Sequence, residues 1–366
     1  MPRIRSEIAA LKPYRVGRQL ADVAREHGLD PSDIVKLTAN ESPEGPFPGV
    51  VEAASQVLAR SNQYPDNSCW DLGHAVAEEV DVEFSNLMFG AGSVALLSEF
   101  ALAVGGPGTR MVYGWPSFIM YRFAAIWAGS EFVEVPLDDS FRLDLDAMAA
   151  AINDDTTVVV VCNPNNPTGT IRRADDIEAF IGAVPESVLV IVDEAYHEFV
   201  TDPNYRTQIP LAVERPNVVV LRTFSKIYAL AGHRVGYAIG RADLITELRK
   251  VQAPLTVSQV AQAAAVASLG HPEELQRRQS ENSARRHHLV GALAERGIRM
   301  VESHTNFVYF ELGEHADEIV GAMTARGVII RGMGPGWVRV TIGNDDENRR
   351  FLDALDAALE GVSEQA

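Results

Sequence analysis

The residues of this chain that could do chemistry stand directly after its apolar runs. Lys226 is the lone lysine in LRTFSKIYALAGHRVGY (221–237), it follows VVVL (218–221), and Arg234 comes eight residues later. Asp193, Glu194 and Tyr196 follow VLVIV (188–192), and the turn NPNNPTG (163–169) follows TTVVVVC (156–162). After NLMF (86–89) comes Gly90-Ala91-Gly92-Ser93-Val94, which opens into a helical pattern. A lysine at a strand end can be lowered in pKa by burial and neighbouring charge, and so serve as nucleophile and base. A carboxylate buried there must find a cation or several donors. A helix start offers free N–H groups and a favourable dipole for phosphate. Two prolines and a glycine make a rigid turn that holds Asn166 close to its strand end.

Each feature has an ordinary reading by itself. The proline turn is a tight loop, the acid caps a helix, and the lysine snorkels to solvent. Together they form the set that pyridoxal phosphate needs. Its aldehyde takes a lysine, its pyridine nitrogen takes a carboxylate, its phenolic oxygen takes a donor such as Asn or Tyr, and its phosphate takes N–H groups and a cation. On that reading Lys226 carries the cofactor and Arg234 holds its phosphate. The same glycines also fit G-x-G-x-x-A in GAGSVA (90–95). A dinucleotide site further requires an acidic residue after the next strand. MVYG (111–114) ends without one, and that reading is rejected.

The elements that must position these groups are legible as a rhythm. The runs NLMF, RMVYG (110–114), EFVEVPL (131–137), TTVVVVC, VLVIVDE (188–194), NVVVLRT (217–223) and VGYAIG (235–240) alternate with amphipathic helical stretches such as 94–104 and 174–184. Continuous Val/Ile/Leu runs separated by helices predict an α/β fold, a mostly parallel seven-stranded sheet covered on both faces. Ligands of such sheets sit beyond the carboxyl ends of the strands. After about residue 250 the pattern changes to an Ala-rich helix (257–269), a charged helix (273–296), strands at 306–312, 327–331 and 337–343, and a last helix near 347–360. The expected organisation is an N-terminal arm with a short helix (1–36), a large cofactor domain (37–255) and a smaller α+β domain (256–366).

With 366 residues the chain can bury a sizeable core, and its 32 basic against 50 acidic residues give a net charge of −18. That balance argues against nucleic acid or an anionic membrane as partner. Cys69 and Cys162 are too few for a disulfide framework, and no Cys/His cluster has metal-ligand spacing. The start has no apolar signal core, and no run of 18 apolar residues occurs, so a cytoplasmic location is expected.

In KLTANESPEGPFP (36–48), YPDN (64–67), NPNNPTG, DEAY and SKIYALAGHRVGY, in that order, the chain resembles the fold-type I pyridoxal-phosphate aminotransferases. The branch is the one containing histidinol-phosphate and aromatic amino-acid aminotransferases. The resemblance runs from LKPYRVG (11–17) to VRVTIGNDDEN (338–348). It implies that Lys226 joins the cofactor and moves the substrate proton, Asp193 pairs with the pyridine nitrogen, and Asn166 and Tyr196 bond the phenolic oxygen. Phe118 stacks on the ring, while Gly92, Ser93, Val94, Ser225 and Arg234 hold the phosphate. Tyr64 reaches the phosphate from the other subunit, so a homodimer with shared sites is implied. Arg339, with Arg331 as a second contact, binds the substrate's anionic group. Asn40 and Asn306 line the substrate site, and Tyr14 closes it from the partner chain.

The chain departs from the family where Ala229 replaces a frequent glycine and His233 a frequent apolar residue. The implied reaction is ping-pong, with 2-oxoglutarate taking up the amine. The short GMGPGWV between Arg331 and Arg339, together with YPDNSC, GAGSVAL and VCNPNNPTG, looks more like the actinobacterial aromatic amino-acid enzymes. Histidinol phosphate is the alternative donor, and a decarboxylase of the same fold the less favoured one. Trp337 beside Arg339 suits an aromatic substrate or the small-domain core equally.

Overall fold

The computed structural model describes residues 2–14 and 17–363, so Arg15 and Val16 of the arm motif lie outside the described residues. All seven apolar runs join one sheet: β2 (Leu87–Gly90), β3 (Arg110–Trp115), β4 (Glu131–Pro136), β5 (Thr156–Cys162), β6 (Leu189–Asp193), β7 (Val218–Thr223) and β8 (Gly236–Gly240), while β1 (Val35–Lys36) lies elsewhere. The spatial order is β2-β8-β7-β6-β5-β3-β4. Only β8 runs antiparallel to its neighbours β2 and β7. The remaining pairs are parallel.

The Val/Ile content of these strands is explained by burial on both faces. Val190 and Val192 of β6 point into one apolar layer, and Leu189 and Ile191 into the other. The layers are closed by helices α3 (Val50–Leu58), α4 (Trp70–Val80), α5 (Ser93–Val104), α6 (Met120–Ala128), α7 (Leu145–Ala150), α8 (Ala174–Ala183), α9 (Ile209–Glu214) and α10 (Ala242–Leu248), after α1 (Ser6–Ala10) and α2 (Leu20–His27) in the arm. Helix α11 (Gln259–Leu269) lies past the expected boundary at 255 but buries Ala261, Ala264 and Ala265 in the large core. Small side chains there let it pack closely on α3 and α4.

The long α12 (Pro272–Glu295) leads into a second core built on β9 (Phe307–Glu311), α13 (Ala316–Ala325), β10 (Val328–Ile329), β11 (Arg331–Gly334), β12 (Trp337–Thr341) and α14 (Asp345–Ser363). Strands β11, β12 and β9 form an antiparallel sheet, and β10 instead pairs in parallel with β1. The run GVIIR, expected as one strand, therefore breaks at Ile330, because its two halves pair with different partners. The break sets Arg331 directly opposite Arg339 in the β11–β12 ladder. Among the described residues no helix is long and apolar enough to cross a membrane.

Ala229 is one of the strained backbone positions near the chemistry. Ala229 has φ 58°, and its N–H closes a turn onto the Lys226 carbonyl at 3.0 Å. A side chain in the left-handed region is destabilising by about 1–2 kcal/mol, partly offset by the unfolded-state entropy that glycine adds. Ala229→Gly is expected to stabilise the fold by about 0.5–1 kcal/mol. Denaturant unfolding of the two proteins checks this, and a less stable glycine variant would contradict it.

Candidate active site

Beyond the carboxyl ends of β3, β5, β6 and β7 lies a cavity of about 1320 Å³. Lys226, Asp193, Tyr196, Asn166, Ser225, Ser93, Val94, Phe118 and Arg234 border it from the large domain, Arg331 and Arg339 from the small one, and Asn40 and Tyr14 from the N-terminal segments. The register of the sheet explains the convergence. Cys162, at the end of β5, stands beside Asp193, at the end of β6, and the turn after each strand then opens into the same space.

Lys226 Nζ donates to the Ala39 carbonyl at 3.2 Å and lies 5.5 Å from the centre of the Tyr196 ring. Burial brings the Lys226 amine down to about 8, helped by the positive charges of Arg339 and Arg234 and opposed by Glu41 and Asp193. Desolvation has therefore put a nucleophilic amine within reach of neutral pH. The Asp193 carboxylate accepts from the Tyr121 hydroxyl at 2.7 Å and from the Ala195 N–H at 3.1 Å. Burial still pushes its carboxyl above the usual carboxylate range. Such a group gains most from a cation placed against it.

The Tyr196 oxygen accepts from Asn40 Nδ2 at 2.8 Å and faces Asn166 Nδ2 at 3.5 Å. Burial raises its phenol, so it remains a neutral hydroxyl. Arg339 spans the two domains. Its Nη1 donates to Asn166 Oδ1 at 2.5 Å and its Nη2 to the Thr38 carbonyl at 2.6 Å. Its Nε is buried without a partner. Among the described residues no carboxylate lies within the 4.0 Å of an ion pair with it. A buried guanidinium with a spare donor and no acid is ready for an anion.

The other anion-binding corner is made of backbone. Gly92 has φ 81°, and a Cβ there would stand 2.3 Å from Arg234 Nη2. Glycine is thus required both for the turn into α5 and for the approach of the arginine. A Cβ on Gly236 would press on the Ser93 nitrogen at 2.7 Å. The start of α5 is consequently open, with Ser93 and Val94 at the cavity wall. Arg234 itself is left-handed at φ 57°, and its Nη1 touches Ser225 Oγ at 3.4 Å and the Ala231 carbonyl at 3.0 Å. Strain of this kind collects at ligand clamps.

Two expected residues are placed differently. Asn306 does not border the cavity. It is buried behind Asn40, to whose carbonyl it donates at 3.1 Å, because the Asn306 carbonyl is itself tied to the Ile342 N–H. Tyr14 borders the cavity of its own chain rather than a second one, edge-on to Phe123 at 6.1 Å, and Arg5 fastens the same arm to the Trp127 carbonyl of α6 at 2.9 Å. Tyr64 is 86% exposed and does not reach its own chain's cavity. Trp337, for its part, stacks on Tyr309 at 4.7 Å and packs on Phe141, outside the cavity lining.

Sequence reasoning missed Tyr121, Cys162, Thr223 and Trp115. The first sits behind Asp193, and the other three border the cavity. The Cys162 thiol is pushed up to about 12 by burial, which keeps it neutral and inert. The signal for Tyr121 was available: a tyrosine inside an apolar helix start needs a partner for its hydroxyl.

The family model for aminotransferases of class I and II matches residues 32–355. The chain belongs to that family. An aromatic amino acid aminotransferase from Streptomyces avermitilis is 41% identical over 351 residues, covering 96% of each chain. A histidinol-phosphate aminotransferase of Cupriavidus pinatubonensis is 41% identical over 359 residues, covering 96% of this chain and 95% of its own. Among solved structures, histidinol-phosphate aminotransferase from Sinorhizobium meliloti in complex with pyridoxal-5'-phosphate superposes with a TM-score of 0.91 at 28% identity, covering 99% of both chains. The enzyme is thus an aminotransferase with the fold-type I architecture.

Proposed function

We propose that this aminotransferase holds pyridoxal 5'-phosphate at Lys226 and moves the amino group of an aromatic L-amino acid, of the phenylalanine or tyrosine type, to 2-oxoglutarate by a ping-pong mechanism. The observation that carries the reading is Lys226 itself, an amine lowered to about 8 by burial that shares one cavity with Asp193, the open start of α5 and an acid-free Arg339. The residues fit the cofactor. Ser93, Val94, Ser225 and Arg234 would hold its phosphate, Asp193 its ring nitrogen, Tyr196 and Asn166 its phenolic oxygen, and Phe118 its ring face. When bound, the cofactor supplies a carbonyl carbon for the amine and an electron sink for the carbon it leaves.

The protein's own groups then have separate tasks. Asp193, desolvated and oriented by Tyr121, stabilises positive charge at the ring nitrogen. Lys226 Nζ takes the proton from the substrate's Cα, at a pKa matched to its work. Arg339 holds the carboxylate common to the donor and the keto acid, fixing the Cα–H bond toward the lysine. The enzyme would work as a cytoplasmic homodimer with shared sites, Tyr64 of one subunit serving the phosphate of the other.

The aromatic donor is favoured by the wall formed by Trp115, Phe118, Ile119 and Phe123. L-histidinol phosphate remains the second reading, because Lys12, Lys36 and Arg331 also border the cavity and would suit a phosphate. Steady-state kcat/KM for L-phenylalanine and L-histidinol phosphate with 2-oxoglutarate separates the two. A higher value for phenylalanine is expected, and a higher value for histidinol phosphate would reverse the assignment.

The lysine's ionisation gives a further expected result. Its pKa lies below the usual 10.5, so the neutral amine gains on the protonated form as pH rises through about 8. Capture of pyridoxal phosphate by the cofactor-free protein should be half-maximal near that pH and weaken below it. A midpoint near the ordinary lysine value would show that the amine is solvated.

A further inference from the structure

Trp115 belongs to the aromatic wall of the cavity, and its surroundings are built to hold it. It ends β3 and borders the cavity. The Arg122 guanidinium carbon stands over its ring, 4.8 Å from the centre, and 5.4 Å from that of Phe132. Arg122 is in turn fixed by Glu134, whose Oε1 accepts from its Nε at 3.0 Å and from its Nη2 at 2.6 Å. The Tyr113 hydroxyl donates to that same oxygen at 2.9 Å. Tyr113 is two residues before Trp115 on the strand and directly opposite Glu134 in the β3–β4 ladder. Strand, ion pair and cation thus immobilise one indole at the edge of the cavity.

Resting on the aromatic-donor reading, we infer that Trp115 is a specificity-determining residue, the surface against which the neutral ring of the amine donor packs. Aromatic rings attract one another edge-on or offset when one of them is held rigid, and the Arg122–Glu134 pair supplies the rigidity. A cation already occupies one face of the indole, and Arg331 and Arg339 border the same cavity, while Lys36 there is paired with Glu41 at 3.1 Å. The electrostatics therefore disfavour a protonated ring and accept a neutral one. The keto acid has no ring and shares only the anion contacts, so Trp115 acts in one half of the reaction alone.

The experiment measures binding to the cofactor-loaded enzyme by calorimetry. It uses two unreactive mimics: 3-phenylpropionate, which has the ring, and glutarate, which lacks it. Trp115→Leu is expected to weaken 3-phenylpropionate by about 10- to 100-fold, the range for contacts in an apolar pocket, and glutarate by less than about threefold. Trp115→Tyr should retain most of the ring affinity, and Arg122→Met should lose part of it with glutarate unchanged. Single-turnover reactions with L-phenylalanine and with 2-oxoglutarate should split in the same way. Equal losses for both mimics would reveal a merely structural residue and overturn the inference, as would no loss for either. If Trp115→Leu does not fold, Arg122→Met decides by the same ratio. If the parent enzyme prefers L-histidinol phosphate to L-phenylalanine, the donor reading has failed. If it prefers phenylalanine and the variants keep that preference, only the inference has failed.

Discussion

Lys226→Ala is expected to lower the rate of transamination by at least about 10⁴-fold, the upper range for losing a positioned proton-transfer group, while leaving the fold intact. The fold should survive because the amine does little for it. Its amine donates a hydrogen bond to the Ala39 carbonyl, and burial already disfavours its charge. Removing a desolvated amine relieves the protein of a group that water would hold better. The chemistry should collapse because nucleophile and base are the same nitrogen, and the cations that act on it, Arg339 and Arg234, are guanidiniums that do not deprotonate. A small exogenous amine should restore part of the rate by entering the space left by the side chain. Single-turnover kinetics with and without that amine check this, beside a thermal melt. A variant with the parent's rate would show that Lys226 only snorkels.

Replacing Arg339 should produce the second largest effect, and on both halves of the reaction. The guanidinium is buried, touches Asn166 Oδ1 and the Thr38 carbonyl, and keeps a spare Nε. Loss of a desolvated, charge-assisted contact to an anion is worth about 2–5 kcal/mol, so Arg339→Leu should reduce kcat/KM by about 30- to 4,000-fold. Arg339→Lys should recover little, since an ammonium cannot make two parallel bonds while keeping Asn166 in place. The donor and 2-oxoglutarate should suffer alike, because their shared carboxylate is what the arginine reads. A loss confined to the donor would mean that Arg339 recognises its side chain instead.

The large sheet was legible because each of its central strands is buried on both faces and therefore reads as an unbroken Val/Ile run, as TTVVVVC and VLVIVDE do. Lys226, Asp193, Asn166 and Arg234 were legible because a buried charge or amide just past such a run has few structural uses. The division of GVIIR at Ile330 was not, since its pattern is uniform and only the partners differ: β1 on one side and β12 on the other. Asn306 was misplaced for a related reason. Its residue type announces a buried hydrogen bond, but not whether the bond goes to a ligand or to the Asn40 carbonyl. Tyr121 and Trp115 were hidden among the aromatic and aliphatic residues of WPSFIMYRFAAIW, where every side chain looks like core. Tyr121 is distinguished by its bond to Asp193 at the end of β6, and Trp115 by the Arg122 guanidinium standing over its ring, contacts that residue type alone does not announce.

The most direct measurement is the absorbance of the purified, cofactor-loaded protein before and after L-phenylalanine, with no keto acid present. The expected result is that the band of the lysine-linked cofactor converts to that of its aminated form, and that 2-oxoglutarate alone then restores it. A protein that develops no such band with pyridoxal phosphate would contradict the assignment of Lys226, and a band that neither L-phenylalanine nor L-histidinol phosphate changes would contradict the assigned donors.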